Sequence, residues 1–287
     1  MRTAPFEYHR AHDIDDALEW LTRDGDREVK ILAGGHSLLP LMKLKLATPT
    51  VLLDVQGVSE LKGVTMEPGW IRIGALSRYV DLTRDPTVAE ALPLLSQVAA
   101  TVADMQVRNR GTIGGSLCHA DPQADIPAAV LALDGRLIVV GPRGERRMTL
   151  DEFIVAPFLT VLEPTEILSA VEFPIPSGPQ QSVYLKRPHP ASGYPIVGVA
   201  ITANVPTPGH LSNVRVVVGG MGSKAYRAYA TESTLNEKEL SPETLRQAAE
   251  VAITEAQLSD DADVPYHSQL IRTYVERALH RLYGGVA

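Results

Sequence analysis

ILAGGHSLLP (residues 31–40) and RNRGTIGGSLCHADPQADIP (residues 108–127) are the stretches on which the reading of this chain turns. Each lies among apolar, strand-like sequence and pairs two adjacent glycines with hydroxyl residues. A glycine reaches φ > 0 at no steric cost and lets neighbouring backbone N–H groups approach an oxyanion. The expected donors are the amides of Ala33, Gly34, Gly35, His36 and Ser37, then those of Thr112, Ile113, Gly114, Gly115 and Ser116. The hydroxyls of Ser37, Thr112 and Ser116 add to them. Two such loops can grip one pyrophosphate from both sides, and fixed dipoles solvate its charge without a lysine. Taken alone, one Gly-Gly pair reads as a tight turn; the pair of motifs points to anion binding. Neither a G-x-G-x-x-G fingerprint nor a P-loop is present, which disfavours a Rossmann or P-loop nucleotide site.

Around these motifs the N-terminal part reads as alternating helix and strand. The spacing of Ile14, Ala17, Leu18 and Leu21 predicts a helix over 13–24 with Asp13 as N-cap. Strands are expected at Val29–Ala33 and Pro49–Val55, with further strands and turns around residues 61–64 and 70–74. Helices follow at 79–84 and 92–105, with Pro86 and Pro93 as breaks. The second motif is read as a loop, followed by a helix over 126–133 and strands at 137–140 and 166–173. Pro174-Ile-Pro-Ser-Gly-Pro179 is the expected domain boundary, since proline and glycine stop either element. It divides the chain into residues 1–176, with subdomains of about 1–56 and 57–176, and residues 177–287. Beyond it, Val183–Lys186, Ile196–Asn204 and Asn213–Gly219 predict a three-stranded antiparallel sheet, and 243–257 and 266–282 two helices. The fold class is α+β.

The formal net charge of −7 over 287 residues argues against a nucleic-acid partner. The expectation is a cytoplasmic protein with no transmembrane segment, because no run of 18 apolar residues occurs and MRTAPFEYHRAHD lacks a signal-peptide core. Cys118 is the single cysteine, so neither an internal disulfide nor a cysteine-held iron–sulfur cluster can belong to this chain alone. It has no evident base and orienter beside it and reads as inert packing. His36 and His119 lie in no metal-ligand spacing, and no metal site or catalytic acid–base residue is expected.

On AGGHS, TIGGS and the near-continuous RNRGTIGGSLCHADPQADIPA, the chain resembles the medium, FAD-binding subunit of the molybdenum hydroxylases. The likeness is to the aerobic carbon monoxide dehydrogenase type within the xanthine dehydrogenase family, and it runs from FEYHRA to the C-terminal helices. It implies a two-part FAD domain of the vanillyl-alcohol oxidase/p-cresol methylhydroxylase type, followed by a small α+β domain. Ala33, Gly34, Gly35, His36 and Ser37, with Thr112, Ile113, Gly114, Gly115 and Ser116, would then hold the flavin diphosphate, and Leu38 would pack near the isoalloxazine. Asp125 matches an acidic partner of the ribityl chain; its alternative is a surface cap of the helix that follows. Tyr194 falls where the family sets an aromatic residue over the flavin, the alternative being a core-edge tyrosine. Lys186 and Arg187 would line the flavin approach, or simply be solvated.

The resemblance further implies partners: a large molybdenum-cofactor subunit and a small subunit with two [2Fe–2S] clusters, assembled as a dimer of heterotrimers. Any membrane association would come through those partners. Electrons would pass from the clusters to FAD on this chain and on to an external acceptor. A stand-alone flavin oxidase and a non-catalytic scaffold subunit are the competing readings. Substrate and acceptor are left open by the sequence.

Overall fold

The computed structural model describes residues 2–23, 27–178, 180–207, 210–236, 238, 240–256, 258 and 263–284. Residues 24, 179 and 257, at the ends of three expected features, lie outside them. Strands Glu7–Arg10 (β1), Val29–Leu32 (β2) and Val51–Asp54 (β3) form a parallel sheet in the order β1-β3-β2. Helix Ile14–Thr22 (α1) joins the first two strands, and Leu38–Lys43 (α2) begins directly after the first glycine motif. As expected, Asp13 caps α1, its carboxylate accepting the Asp16 N–H at 2.8 Å.

A second unit follows. It contains strands Val64–Glu67 (β4) and Trp70–Gly74 (β5), then helices Tyr79–Arg84 (α3), Pro86–Ala91 (α4), Pro93–Thr101 (α5), Met105–Arg108 (α6), Ile113–His119 (α7) and Ile126–Ala132 (α8). Strands Arg136–Gly141 (β6) and Gly144–Thr149 (β7), helix Leu150–Phe153 (α9), strands Ile154–Ala156 (β8) and Leu159–Thr160 (β9), and Ile167–Pro174 (β10) complete it. Five of these strands make an antiparallel sheet in the order β4-β5-β10-β6-β7. Its inner face and the helices share a core that includes Phe153, Phe173, Leu94, Leu95 and Ile113.

Two expectations need correcting here. The second motif is a helix, not a loop: Thr112 Oγ1 accepts the Gly115 N–H and α7 begins at Ile113. The helix expected over 92–105 ends at Thr101, because Ala103 turns to φ +37 and Asp104 restarts the chain by capping α6. Pro86 and Pro93 do break the helical run, each by opening a new helix at a first position where its missing N–H costs nothing.

On the outer sheet face the buried Glu172 is bridged by Arg136 at 3.4 Å and Arg147 at 3.3 Å, and Arg136 stacks over Trp70. Glu166 accepts two bonds from Arg146, at 2.9 and 2.6 Å, and the guanidinium holds its carboxyl below the usual range. A carboxylate with a lowered folded-state pKa stabilises above its unfolded pKa, and that contribution disappears as pH falls. Glu166→Gln is therefore expected to lower the urea midpoint at neutral pH, and the gap to wild type should close as pH drops below about 4.

The third unit holds Gln180–Pro188 (β11), Pro195–Thr207 (β12), His210–Gly219 (β13) and Tyr226–Arg227 (β14). Helices Tyr229–Leu235 (α10), Pro242–Glu255 (α11) and Val264–Gly284 (α12) follow. The sheet has four antiparallel strands, β11-β12-β13-β14, not three; β14 is two residues long and too short to leave an alternating pattern. Its faces are divided strictly by the pleat. Val183, Val197, Val199, Ile201, Val216 and Val218 pack on α11 and α12, whereas Tyr184, Ala200 and Val217 join the core of the second unit. Thr202 is fully buried between them and donates to the Ala132 carbonyl at the end of α8. Among the described residues no helix is long and apolar enough to cross a membrane.

Candidate functional site

The two glycine motifs meet in space. Gly34 backs onto the main chain of the second motif so closely that a Cβ there would lie 2.3 Å from the Arg110 carbonyl oxygen. On α7, Gly114 presses against Ala75, where a Cβ would fall 2.5 Å from the alanine methyl, and the Gly114 N–H donates to the Ala75 carbonyl at 2.9 Å. Ala33 lies over Gly115. Of the four motif glycines only Gly35 has positive φ, +78°, so the others are required by contact rather than by backbone conformation.

The donors are distributed unequally. Among the described hydrogen bonds none takes the N–H of Gly34, Gly35, His36, Ser37 or Leu38, and Ser37, at the N-cap of α2, makes no side-chain cap bond. This run of amides remains free for an acceptor from outside the chain. The second motif departs from expectation: Ile113, Gly114, Gly115 and Ser116 donate to Ser77, Ala75, the Thr112 hydroxyl and the Thr112 carbonyl respectively. What it presents is side-chain chemistry. Thr112 and Ala33 line a cleft of 430 Å³ with Gln56, Ser77, Arg78 and Arg110. Arg110 donates to Gln56 at 2.6 Å, and Arg78 pairs with Asp81 at 2.8 Å. Sequence reading passed over both arginines, although Arg110 stands inside the quoted motif.

Beside Gly111 lies the ring of Tyr79, which would clash with any Cβ there. Burial pushes the Tyr79 phenol up to about 12 against the opposing hydrogen bond with Ser116, so it stays neutral at pH 7. Asp125 is buried and makes no cap bond to α8, which removes the surface-cap alternative. Its carboxylate accepts the Tyr184 hydroxyl at 2.7 Å and the Lys186 ammonium at 2.9 and 3.2 Å. Burial holds its carboxyl above the ordinary range, with Lys186 pulling the other way. Tyr194 is about one third exposed, close enough to Asp121 and Asp125 that their charges, after burial, raise its phenol.

Other expected site residues lie further out. Leu38 packs into a small cluster with Leu32, Met42 and Leu52 inside the first unit. His36 is exposed and bonds only the Gly34 carbonyl at 3.2 Å, while His119 tilts against Phe158 at 5.2 Å. Arg187 is exposed, but Lys186 is not solvated. Among the described residues no three metal-ligating side chains cluster.

Family models match both parts of this architecture. Residues 4–176 match the FAD binding domain in molybdopterin dehydrogenase, and residues 182–282 the CO dehydrogenase flavoprotein C-terminal domain. The chain belongs to the FAD-binding medium subunits of the molybdenum hydroxylase family. The α subunit of the 6-hydroxypseudooxynicotine dehydrogenase complex of Paenarthrobacter nicotinovorans is 37% identical over 98% of this chain and 97% of its own length. Carbon monoxide dehydrogenase of Hydrogenophaga pseudoflava, solved without the Mo-pyranopterin moiety of its cofactor, superposes with a TM-score of 0.94 at 34% identity, covering both chains fully. Quinoline 2-oxidoreductase from Pseudomonas putida 86 gives 0.92 at 29% identity, covering 100% of this chain and 99% of that one. Medium subunits this alike thus occur in enzymes named for a gas, a pyridine alkaloid derivative and a fused heterocycle. The α+β architecture, with an N-terminal FAD-binding part and a C-terminal part of sheet and helices, is the medium-subunit arrangement.

Proposed function

We propose that this medium subunit is the electron-exit component of a molybdenum-containing hydroxylase or dehydrogenase, working through its own FAD. The observation that carries the reading is the run of free amides from Gly34 to Leu38, set against the second motif and ending at the unbonded Ser37 hydroxyl. That donor set suits a diphosphate, which brings acceptors only. In this reading Gly34, Gly35, His36 and Ser37 hold the diphosphate with the hydroxyls of Thr112 and Ser116. Gly114 and Gly115 keep α7 close enough for those hydroxyls to serve. Tyr194 and Lys186 face the ring system, and Asp125 and Tyr79 bound the inner wall. Residues 1–176 then form a two-part domain of the vanillyl-alcohol oxidase/p-cresol methylhydroxylase type, and 177–287 the smaller domain that covers the cofactor.

When bound, FAD supplies a carrier able to take electrons from [2Fe–2S] clusters and release them to an external acceptor. The chain itself binds, orients and shields that carrier. With Cys118 as its sole cysteine, it leaves the clusters to a small partner subunit and the molybdenum cofactor to a large one. A dimer of heterotrimers is the assembly proposed. The purified chain, alone or with its co-expressed partners, is expected to show flavin bands near about 370 and 450 nm and to release FAD on acid precipitation. A chain that takes up no FAD in either state overturns the reading.

A further inference from the structure

The turn between β11 and β12, residues 189–194, carries Tyr194 and is tied down by a chain of bonds that starts in another domain. Lys186 Nζ, on β11, donates to the Gly193 carbonyl at 2.9 Å while its other contacts reach the Asp125 carboxylate. Within the turn the His189 N–H donates to the Tyr194 carbonyl at 2.7 Å, and the Gly193 N–H to the His189 carbonyl at 2.9 Å. Gly193, at φ +73°, seats the turn against Ala103, whose Cα would lie 3.3 Å from a Cβ placed there. Gly198, opposite Lys186 in the ladder, leaves room for the Tyr184 hydroxyl that also reaches Asp125. Both charged groups are almost wholly buried, the side chains of Lys186 and Asp125 being 9% and 3% exposed.

A buried ammonium bound on one side by a carboxylate and on the other by a carbonyl has one rigid placement. We infer that Asp125 is a positioning residue, fixing through Lys186 the 189–194 turn and hence the direction of Tyr194. The link to the cofactor rests on the FAD reading above; the latch itself does not. Lys186 thereby couples α8 to the rim of the site, 61 residues away in sequence.

Hydrogen exchange on the flavin-free full chain tests the latch. Lys186→Met is expected to speed exchange at the His189 and Gly193 amides by about tenfold or more, with the β12 amides of residues 197–203 unchanged. Asp125→Asn should show the same pattern more weakly, and Lys186→Arg, which can still span carboxylate and carbonyl, should restore protection. Unchanged exchange in 189–194 in both variants overturns the latch. So does acceleration spread evenly over β11 and β12 that Lys186→Arg fails to rescue. A separate FAD titration reads the other half: faster turn exchange with unaltered FAD affinity and flavin spectrum leaves the latch standing and removes Tyr194 from the cofactor.

Discussion

Gly34→Ala is expected to cost about 3 kcal/mol or more of stability and to strip the protein of FAD. The added Cβ would sit 2.3 Å from a backbone oxygen, that of Arg110, and 2.9 Å from the Cα of Gly111. Neither neighbour is the end of a flexible side chain, so the two motifs must part, and the amides of residues 34–38 move with them. Gly178→Ala is the control, because nothing lies within 4 Å of its Cβ position and it should fall within about 0.5 kcal/mol of wild type. Urea denaturation of the flavin-free chain measures the first effect and the FAD released from holoprotein the second. Gly114→Ala probes the second motif. Its clash with Ala75 lies away from the free amides, so it should destabilise the flavin-free chain as well. If Gly34→Ala folds like wild type and retains a full complement of FAD, the close seam between the motifs has no functional weight.

The second large effect concerns Cys118. Partly buried, packed against the core of the second unit, its thiol is pushed up to about 12 by burial alone, with no cation or hydrogen bond in opposition. At pH 8 an ordinary thiol is about a quarter ionised, whereas one near 12 is ionised to about one part in ten thousand. Alkylation of the native chain should accordingly be about tenfold or more slower than that of an unstructured cysteine, the greater nucleophilicity of a high-pKa thiolate offsetting part of the lost ionisation, and should reach the normal rate in denaturant. Cys118→Ala is expected to keep its FAD. Fast labelling of native protein, or flavin loss in the alanine variant, would point instead to a thiolate with work at the site.

Much of this was legible in the residues themselves. The helix over Ile14–Thr22 was marked by four apolar positions on one face and an aspartate cap, and Ile126–Ala132 by the same kind of stripe. Strand β7, Gly-Glu-Arg-Arg-Met-Thr, left no such mark, because its outward side chains are charges: Arg147 pairs with Glu145 in the same strand and with Glu172 across the sheet. The second motif misled for a physical reason. Adjacent glycines are ordinarily turn formers, and here they are demanded by Ala75 and Thr112 packing against a helix. Asp125 and Lys186 could each be singled out by position in the chain, but their pairing could not, since antiparallel register and burial decide it. Nor could spacing say which amides are already spoken for. That follows only once Ser77 and Ala75 are seen to accept from α7.

The sheet of the third unit, covered on one side by α11 and α12 and on the other by α5 and α8, has a thermodynamic corollary. A boundary drawn at Pro174 divides the chain's text but not its cohesion. Removing the C-terminal segment would bare the underside that Tyr184, Ala200 and Val217 share with the second unit, and removing the N-terminal segment would bare their own face. The two parts should therefore melt together in one calorimetric transition, like halves of a laminate bonded along a common ply, and neither should be obtainable as a well-behaved fragment.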